Sequence, residues 1–279
     1  MSRTWLITGA SRGFGRSLAE AVLAHGDRLV ATARRPEQLR DLVAAYGEQV
    51  RTAALDVTDA DAARAAVQTA VDAFGRLDVV VNNAGYANSA PIEEMAEADF
   101  RTQFEANFFG VYNVTRAALP VLRRQRSGTF VQFSSIGGRV GGTPGMGSYQ
   151  AAKHAVEGFS EVLATEVASF GLKVVIVEPG GFRTDWQGPS MTLHPVGEDY
   201  EATVGIMNRA RADTDGTQPG DPSRGSQVII DTVTRPDPPR RLLLGAQAVT
   251  MAIESGEARL AEARKWAETS AAADFPAGE

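Results

Sequence analysis

The chain has 279 residues, of which 43% are hydrophobic and 22% are charged, and its formal net charge is −6. These values are ordinary for a globular protein that is long enough to bury a large core. The acidic balance argues against nucleic-acid binding and against attachment to an anionic membrane surface, since both need a basic face. The sequence has no cysteine, which excludes a disulfide, a thiolate zinc site and a cysteine nucleophile.

Targeting and metal-binding signals are weak in this sequence. No apolar run approaches the roughly 20 residues of a membrane span, and the apolar segment within the first ten residues is too short for a signal peptide. The three histidines, His25, His154 and His194, are scattered and form no metal-binding pattern. We therefore expect a soluble cytoplasmic protein with no bound transition metal.

Short apolar segments alternate with amphipathic segments along most of the chain. Strands are predicted at residues 4–8, 28–33, 50–55, 78–81, 129–133, 173–177 and 241–244. Helices are predicted between and after them, the longest at 99–124, 148–169 and 246–269. This rhythm is typical of an α/β fold, a Rossmann-like doubly wound parallel sheet of about seven strands with helices on both faces.

The first unusual cluster is a glycine-rich turn between the first strand and the first helix. Gly9, Gly13 and Gly15 follow the spacing G-x-x-x-G-x-G. Glycine permits a tight turn and lets a phosphate approach backbone N–H groups at the start of a helix, where the helix dipole favours an anion. Ligands of such sheets bind at the carboxyl ends of the strands, so the turn predicts a dinucleotide site, although a close-packed turn is the alternative.

The end of the second strand indicates which dinucleotide would bind. An acidic residue at this position would hydrogen-bond the ribose 2′-hydroxyl of NAD. The chain instead has Arg34 and Arg35, and Arg12 lies inside the glycine turn. Guanidinium groups hold a phosphate through paired hydrogen bonds, so these residues favour NADP(H). The alternative is that they are solvated surface charges.

Tyr149 and Lys153 lie four positions apart in a predicted helix, so their side chains share one face. Only three of the 28 basic residues are lysines, at positions 153, 173 and 265. A neighbouring cation favours phenolate, so we expect Lys153 to lower the pKa of Tyr149 and make it a usable acid or base near neutrality. An ordinary surface pair is the alternative.

Together these patterns resemble the short-chain dehydrogenase/reductase family. The matching segments run in the family's order from residue 8 to about residue 184. They are 8–15 (TGASRGFG), Asp56-Val57, 82–85 (NNAG), Asn107, Ser135, Tyr149 with Lys153, and Pro179-Gly180. The sequence at 179–185 and 242–245 is similar to that of a bacterial branch of carbonyl and steroid-type reductases.

The resemblance implies catalytic roles for four positions. Tyr149 is expected to be the general acid in carbonyl reduction and the base in alcohol oxidation, while Lys153 lowers its pKa and binds the nicotinamide ribose. Ser135, rather than the adjacent Ser134, is expected to hydrogen-bond the substrate oxygen, because its spacing from the following glycine fits the family. Asn107 is expected to anchor a water that links Lys153 to solvent.

The resemblance also implies NADP(H) as the cofactor and a set of residues that bind it. They are Gly9, Ser11, Arg12, Gly13, Phe14, Gly15, Arg34, Arg35, Asp56, Val57, Asn83, Ala84, Gly85, Tyr149, Lys153, Pro179, Gly180, Phe182 and Thr184. The implied reaction moves a hydride between nicotinamide and a ketone, an aldehyde or a secondary alcohol.

Residues 182–240 break the strand–helix rhythm and are rich in Pro, Gly and Asp. We expect one domain, 1–279, with a cofactor-binding and catalytic core at 1–181, a substrate-binding lid at 182–240, and a last strand, closing helix and tail at 241–279. Candidates to line an apolar substrate pocket, with simple packing as an equal alternative, are Tyr86, Met146, Trp186, Met191 and Leu193.

Two other functions remain open at this point. The chain could be a cofactor-binding regulator without turnover, or a dehydratase or epimerase on the same fold. The expected partner is a small-molecule carbonyl compound or alcohol, with neither nucleic acid nor membrane. The family's habit further implies a homodimer or homotetramer built from the helices at 99–124 and 148–169.

Overall fold

The structure, a computed structural model, describes residues 2–275. Within this range seven parallel strands form one sheet, and two short strands form another. The strands of residues 2–275 are β1 (Thr4–Ile7), β2 (Arg28–Ala33), β3 (Val50–Ala54), β4 (Val79–Asn82), β5 (Ala87–Ser89), β6 (Gly128–Phe133), β7 (Leu172–Pro179), β8 (Met191–Leu193) and β9 (Arg241–Leu244).

Helices connect most of these strands. They are α1 (Gly13–Ala24), α2 (Arg40–Tyr46), α3 (Ala60–Phe74), α4 (Glu97–Phe104), α5 (Gly110–Gln125), α6 (Ile136–Arg139), α7 (Gly147–Val167), α8 (Ile206–Thr214), α9 (Pro222–Val233), α10 (Ala246–Lys265) and α11 (Ala267–Ala271). Three of these helices begin with a side-chain cap, namely α6, where Ser135 accepts the N–H of Gly137, and the longer α3 and α9. The carboxylates of Asp59 and Asp221 accept backbone N–H groups in the first turns of α3 and α9.

The large sheet has the strand order β3-β2-β1-β4-β6-β7-β9. In its centre, Leu6 pairs in parallel with Val30 of β2 on one side and with Val80 of β4 on the other. The strand order therefore reverses between β1 and β4, which is the switch point where doubly wound sheets bind their ligands. The glycine turn after β1 and the NNAG segment after β4 consequently lie side by side.

Helices cover both faces of the sheet. Successive strand residues point to opposite faces, so apolar residues on each face are buried against helices. Trp5 and Ile7 of β1 are fully buried in the core cluster that also includes residues of α1 and α9. Leu6, between them, belongs to a second cluster with residues of α3, α5 and α7. The continuously apolar β4 is buried on both sides in the same way, which is why it lacks the alternating pattern of a half-exposed strand.

The long helix predicted at 99–124 is interrupted in the structure. A π-helical turn, Glu105–Phe109, joins α4 to α5 and contains Asn107. Such turns widen the helix locally and are frequent at functional sites. Apolar periodicity did not predict this turn, because one wide turn hardly changes the spacing of the apolar residues around it.

Residues 182–240 contain β8, α8 and α9, and β8 pairs in parallel with β5. Ala87 is paired with Met191, so this segment is fixed beside the residues that follow β4. The two-stranded sheet was not predicted, since strands of three residues are too short to show a period. The predicted doubly wound parallel sheet is confirmed.

Candidate active site

A cavity of about 980 Å³ lies at the carboxyl edge of the sheet. All but one of the residues predicted to bind the cofactor line it. They are Gly9, Ser11, Arg12, Gly13, Phe14, Arg34, Arg35, Asp56, Val57, Asn83, Ala84, Gly85, Tyr149, Lys153, Pro179, Gly180, Phe182 and Thr184. The exception is Gly15, which packs behind the turn. Ser135 lines the cavity as well, whereas Asn107 does not.

The glycine turn is tight enough that side chains would not fit. Gly9 has a φ of +67°, in the left-handed region, and a Cβ there would lie 3.0 Å from Cα of Ala84. At Gly15 a Cβ would overlap the carbonyl oxygen of Gly9 and the side-chain amide of Asn83. The turn after β1 therefore packs directly against the segment that follows β4.

The N-terminus of α1 opens into the cavity without a capping side chain. Arg12, at the N-cap position, makes no side-chain hydrogen bond to the first turn, unlike Asp59 and Asp221 at the starts of α3 and α9. The first N–H groups of a helix have no partner within the helix, and the dipole favours negative charge beside them. This end of α1 suits a phosphate group.

Arg12, Arg34 and Arg35 are exposed and line the cavity beside the glycine turn. None of them pairs with a carboxylate anywhere in residues 2–275. Nearby Arg16, by contrast, is bound to Glu20 and Asp41. Three guanidinium groups without partners at one end of a cavity suit a phosphate on the ribose.

Hydrogen bonds fix the segment after β4 to the end of β1. Thr8 Oγ1 accepts the backbone N–H groups of Asn83 at 2.9 Å and Ala84 at 3.0 Å. The side-chain amide of Asn83 donates to the carbonyl of Thr8 at 2.9 Å. Thr8 and Asn83 thus hold the NNAG segment against the end of β1.

Tyr149 and Lys153 lie in the first turns of α7 and are only 6% and 4% exposed. The Lys153 ammonium lies 5.8 Å from the centre of the Tyr149 ring. It donates a 2.7 Å hydrogen bond to the carbonyl of Phe133 at the end of β6. The spacing of four therefore places both groups on the same wall of the cavity, as predicted.

The expected lowering of the Tyr149 pKa does not occur in this structure. Burial raises the pKa of Tyr149 to about 12, and a hydrogen bond with the Ser135 hydroxyl opposes the rise only in part. Burial also lowers the pKa of Lys153 to about 8, against the attraction of Glu157. Both shifts have one cause, because a site shielded from water disfavours the charged form of each group.

The two adjacent serines at the end of β6 have different surroundings. Ser135 Oγ accepts the N–H of Gly137 at 3.0 Å, so its own proton can be donated toward Tyr149 or into the cavity. Ser134 is only 4% exposed, and its Oγ lies against Gly138 and beside the carboxyl group of Glu157. These surroundings support the choice of Ser135 as the serine that faces a substrate.

Asn107 is fully buried in the π-helical turn. Its side-chain amide donates to the carbonyl of Tyr86 at 2.8 Å, and its Oδ1 accepts the N–H of Tyr86 at 3.1 Å. A Cβ at Gly85 would lie 2.8 Å from this Oδ1 and 3.8 Å from the ammonium of Lys153. Asn107 and Lys153 therefore approach each other across the space left by a glycine.

Two of the five predicted substrate-lining residues line the cavity, namely Tyr86 and Trp186. The Trp186 ring lies 5.2 Å from the ring of Tyr149, with an interplanar angle of 56°. Trp186 thus packs against the ring of Tyr149 and also lines the cavity.

Met146, Met191 and Leu193 do not line the cavity. Met146 and Met191 pack in the apolar cluster around Tyr149, and Leu193 is 38% exposed. Side chains alternate along β8, and Thr192 lines the cavity. Met191 and Leu193, on either side of Thr192, therefore point away from the cavity.

Several cavity residues were not predicted. Thr102 of α4, Gln187 and Thr192 add polar groups to the wall. They belong to no motif, and only the fold brings them to the cavity. The buried charged residues around Glu157 were not predicted either. The sequence does carry a signal for Glu157, because it follows Lys153 by four positions, just as Lys153 follows Tyr149.

A dinucleotide fits the arrangement of these residues. The uncapped helix N-terminus suits a pyrophosphate, the three arginines suit a further phosphate, and Tyr149 and Lys153 line another part of the same cavity. No cluster of three or more metal-binding side chains occurs in residues 2–275.

Comparisons with known proteins agree with this geometry. The family model for short chain dehydrogenases matches residues 3–192. The chain is 49% identical over 273 residues to oxidoreductase BOA17 of Botryotinia fuckeliana (strain B05.10), covering 98% of this chain and 99% of that protein. Its structure is similar to a short-chain dehydrogenase from Streptomyces avermitilis, with a TM-score of 0.91 and 40% identity, covering 98% of this chain and 100% of the other.

A third similar protein is a short chain dehydrogenase from Burkholderia cenocepacia J2315, whose structure is a complex with NADP. The TM-score is 0.73 and the identity 25%, and the match covers 95% of this chain and 97% of that one. The chain belongs to the short-chain dehydrogenase/reductase family and is an oxidoreductase. Within residues 2–275, no helix has both the length and the apolar character needed to cross a membrane.

Proposed function

We propose that the protein is an NADP(H)-dependent oxidoreductase that interconverts a ketone or aldehyde and the corresponding alcohol, with Tyr149 as general acid and base. The observation that carries the proposal is the meeting of Ser135, Tyr149 and Lys153 in one cavity with an uncapped helix N-terminus. The NADP complex of the similar Burkholderia dehydrogenase supports the cofactor assignment. So do the three arginines that lack carboxylate partners in residues 2–275.

The lining of the cavity supports a set of contacts with this cofactor. The N–H groups at the start of α1 would hold the pyrophosphate, and Arg12, Arg34 and Arg35 would hold the 2′-phosphate. Asp56 and Val57, after β3, would lie on the adenine side. The nicotinamide side would be lined by Pro179, Gly180, Phe182 and Thr184. When bound, reduced nicotinamide supplies a hydride to the carbonyl carbon of the substrate.

The protein's part in the reaction is to orient the carbonyl group and supply a proton. The Ser135 hydroxyl donates a hydrogen bond to the carbonyl oxygen, and the Tyr149 hydroxyl transfers its proton to that oxygen as negative charge develops there. A phenol with a pKa of about 12 is fully protonated at neutral pH, which is the form an acid needs. Lys153 stabilises the phenolate that remains, and Asn107 connects Lys153 to solvent through a water.

Residues 182–240 are proposed to act as the lid over the substrate side of the cavity. Phe182, Thr184, Trp186 and Thr192 all line the cavity, and the β5–β8 pairing holds their segment beside it.

We further propose that the protein forms a homodimer or homotetramer. The motivating feature is an exposed aromatic group on α5 and the π turn, where Phe109 is 43% and Tyr112 36% exposed. A monomer in sedimentation at micromolar concentration would contradict this.

The proposed function is tested by following NADPH oxidation over a panel of ketones and aldehydes with purified protein. The expected result is turnover with part of the panel and none with NADPH alone. Tight NADPH binding with no turnover on any substrate would instead indicate a cofactor-binding regulator. Product formation without net NADPH oxidation would indicate a dehydratase or an epimerase.

A further inference from the structure

A line of four side chains runs along α7 at intervals of four residues: Tyr149, Lys153, Glu157 and Glu161. Residues at this spacing are neighbours on one face of a helix. The first three are buried, with Glu157 only 5% exposed, whereas the side chain of Glu161 is 51% exposed. The residue one helical turn after Lys153 therefore carries a buried carboxyl group.

The far side of Glu157 contacts a group of charges from two other strands. The guanidinium of Arg241, at the start of β9, contacts Glu157 and lies 2.6 Å from the carboxylate of Glu178, which is fully buried at the end of β7. Arg241 also contacts the exposed Glu161. Arg139 of α6 lies 3.5 Å from Glu178. Two buried carboxyl groups thus share one arginine.

The guanidinium of Arg241 would have carboxylate partners even without Glu157. Glu178 and Glu161 already pair with this guanidinium. Glu157 Oε1 and Ser134 Oγ are buried and have no other hydrogen-bond partner within residues 2–275, and Ser134 lies close enough to lower the pKa of the Glu157 carboxyl group. Burying a carboxylate is costly, and an apolar side chain of similar volume is often as stable. The position of Glu157 therefore calls for a role other than stability.

We propose that Glu157 is a positioning residue that keeps Lys153 in its charged form, and that Arg241 keeps Glu157 ionised for this purpose. The inference rests on the proposed function, in which Lys153 must be a cation to stabilise the Tyr149 phenolate. Glu157 and Arg241 would thus act behind the reacting groups and contact neither substrate nor cofactor.

The charges around Lys153 support this arrangement. Burial lowers the pKa of Lys153 to about 8, and Glu157 is the charged group that opposes the shift. Tyr149 on the same helix is neutral at this pH, and the contacts from β6 and the π turn are with the uncharged Phe133 carbonyl and Asn107. His154, the next residue on α7, is exposed and bonds to its own helix at Gln150.

Some groups around Glu157 raise the pKa of its carboxyl group and others lower it. Burial raises the pKa of Glu157, the carboxylate of Glu178 raises it further, and Ser134 and Arg241 lower it. Arg139 compensates Glu178 from α6, and Glu161 lies on the solvent side of Arg241. Arg241 is thus the cation in contact with Glu157 that favours its ionised form.

The scarcity of lysine makes a direct experiment feasible. The protein has only three lysines, so incorporation of lysine labelled with ¹³C at Cε gives three signals, which Lys173→Arg and Lys265→Arg assign. The pKa of Lys153 is read from the pH dependence of its signal in cofactor-free wild type and in Glu157→Gln. We expect the pKa of Lys153 to fall by about one unit in the variant, because the opposite charge on the neighbouring helical turn is lost.

Matched variants separate charge from structure. Glu161→Gln removes the same charge one turn further along α7 and should leave the Lys153 pKa unchanged. Glu157→Asp keeps the charge and should largely restore it, and Glu157→Met replaces Glu157→Gln if the latter does not fold. An unchanged or raised Lys153 pKa in Glu157→Gln or Glu157→Met overturns the inference. A wild-type Lys153 pKa below 7 overturns it even without the variants.

A second readout connects this effect to turnover. In Glu157→Gln, the ratio of kcat/KM at pH 6 to that at pH 8 should be about five-fold larger than in wild type, because Lys153 loses its proton earlier. An unchanged pH profile beside a shifted Lys153 pKa would contradict the catalytic part of the proposal. The titration itself does not depend on Tyr149 being the acid, so failure of the proposed function and failure of this inference give different results.

Discussion

The ammonium of Lys153 donates a 2.7 Å hydrogen bond to the carbonyl of Phe133, two residues before Ser135. This bond ties α7, which carries Tyr149, to the end of β6, which carries the serine. It leaves the positive charge 5.8 Å from the centre of the Tyr149 ring, where it does not offset the effect of burial on the phenol. The structure therefore holds a protonated phenol at neutral pH, with a cation fixed nearby.

The first prediction concerns the ionisation of Tyr149. At about pH 10 an ordinary tyrosine is half ionised. Tyr149 should still be protonated in cofactor-free protein, because burial raises its pKa to about 12. Phenolate absorbance of wild type and Tyr149→Phe should therefore coincide up to that pH. A wild-type excess of one phenolate between about pH 7 and 9 would mean that Lys153 already lowers the pKa without cofactor.

The second prediction concerns stability and pH. The pKa of Lys153 is about 8 in the folded protein and that of an unfolded lysine is near 10.4. Between these values the unfolded chain binds more protons, so the free energy of unfolding rises with pH, by about 3 kcal/mol from this group. Urea unfolding of cofactor-free wild type should show this gain relative to Lys153→Met between about pH 7.5 and 10. A constant difference would indicate that Lys153 titrates normally.

The third prediction concerns cofactor choice. Arg34→Ala and Arg35→Ala should each weaken NADPH binding by roughly 10- to 100-fold, the effect of losing a charge-assisted hydrogen bond, and leave NADH binding unchanged. Arg40→Ala is the matched control, since Arg40 is also an exposed arginine on the same stretch but does not line the cavity. Calorimetric titration measures each affinity. Equal losses for NADPH and NADH would argue against a 2′-phosphate site.

The fourth prediction concerns the glycine turn. Gly15→Ala should lower the free energy of unfolding by about 1–3 kcal/mol and weaken cofactor binding, because the added methyl group overlaps the Gly9 carbonyl and the Asn83 amide. Gly256→Ala serves as the control. A Cβ at this helical position in α10 meets no atom within 4 Å, so the change should stabilise the protein by about 0.5–1 kcal/mol. Thermal unfolding distinguishes the two, and equal stability of both variants would contradict the packing described.

Much of the architecture could be predicted from the sequence because its determinants are local. The apolar run at residues 79–81 and the glycines after β1 lie in short segments, and strand and turn chemistry suffices to interpret them. Once alternating strands and helices predict a doubly wound sheet, the positions of the strand ends follow. The motifs at those ends therefore converge on one cavity, and their residues could be named in advance.

Other features depend on contacts between distant segments. Arg241 meets Glu157 across 84 positions of the chain, and Ala87 of β5 pairs with Met191 of β8. The spacing of Tyr149 and Lys153 predicted a lowered phenol pKa, whereas burial by the surrounding chain raises it. Spacing identifies neighbours on a helix, but the loss of water around them is set by tertiary packing.

Proton donation by Tyr149 is tested most directly by comparing wild type with Tyr149→Phe. Tyr149→Phe keeps the ring that packs against Trp186 and removes only the hydroxyl. It should still bind NADPH and should show kcat/KM for carbonyl reduction lower by roughly 10²–10⁴-fold. A variant that binds NADPH and reduces the same substrate at the wild-type rate would contradict the account.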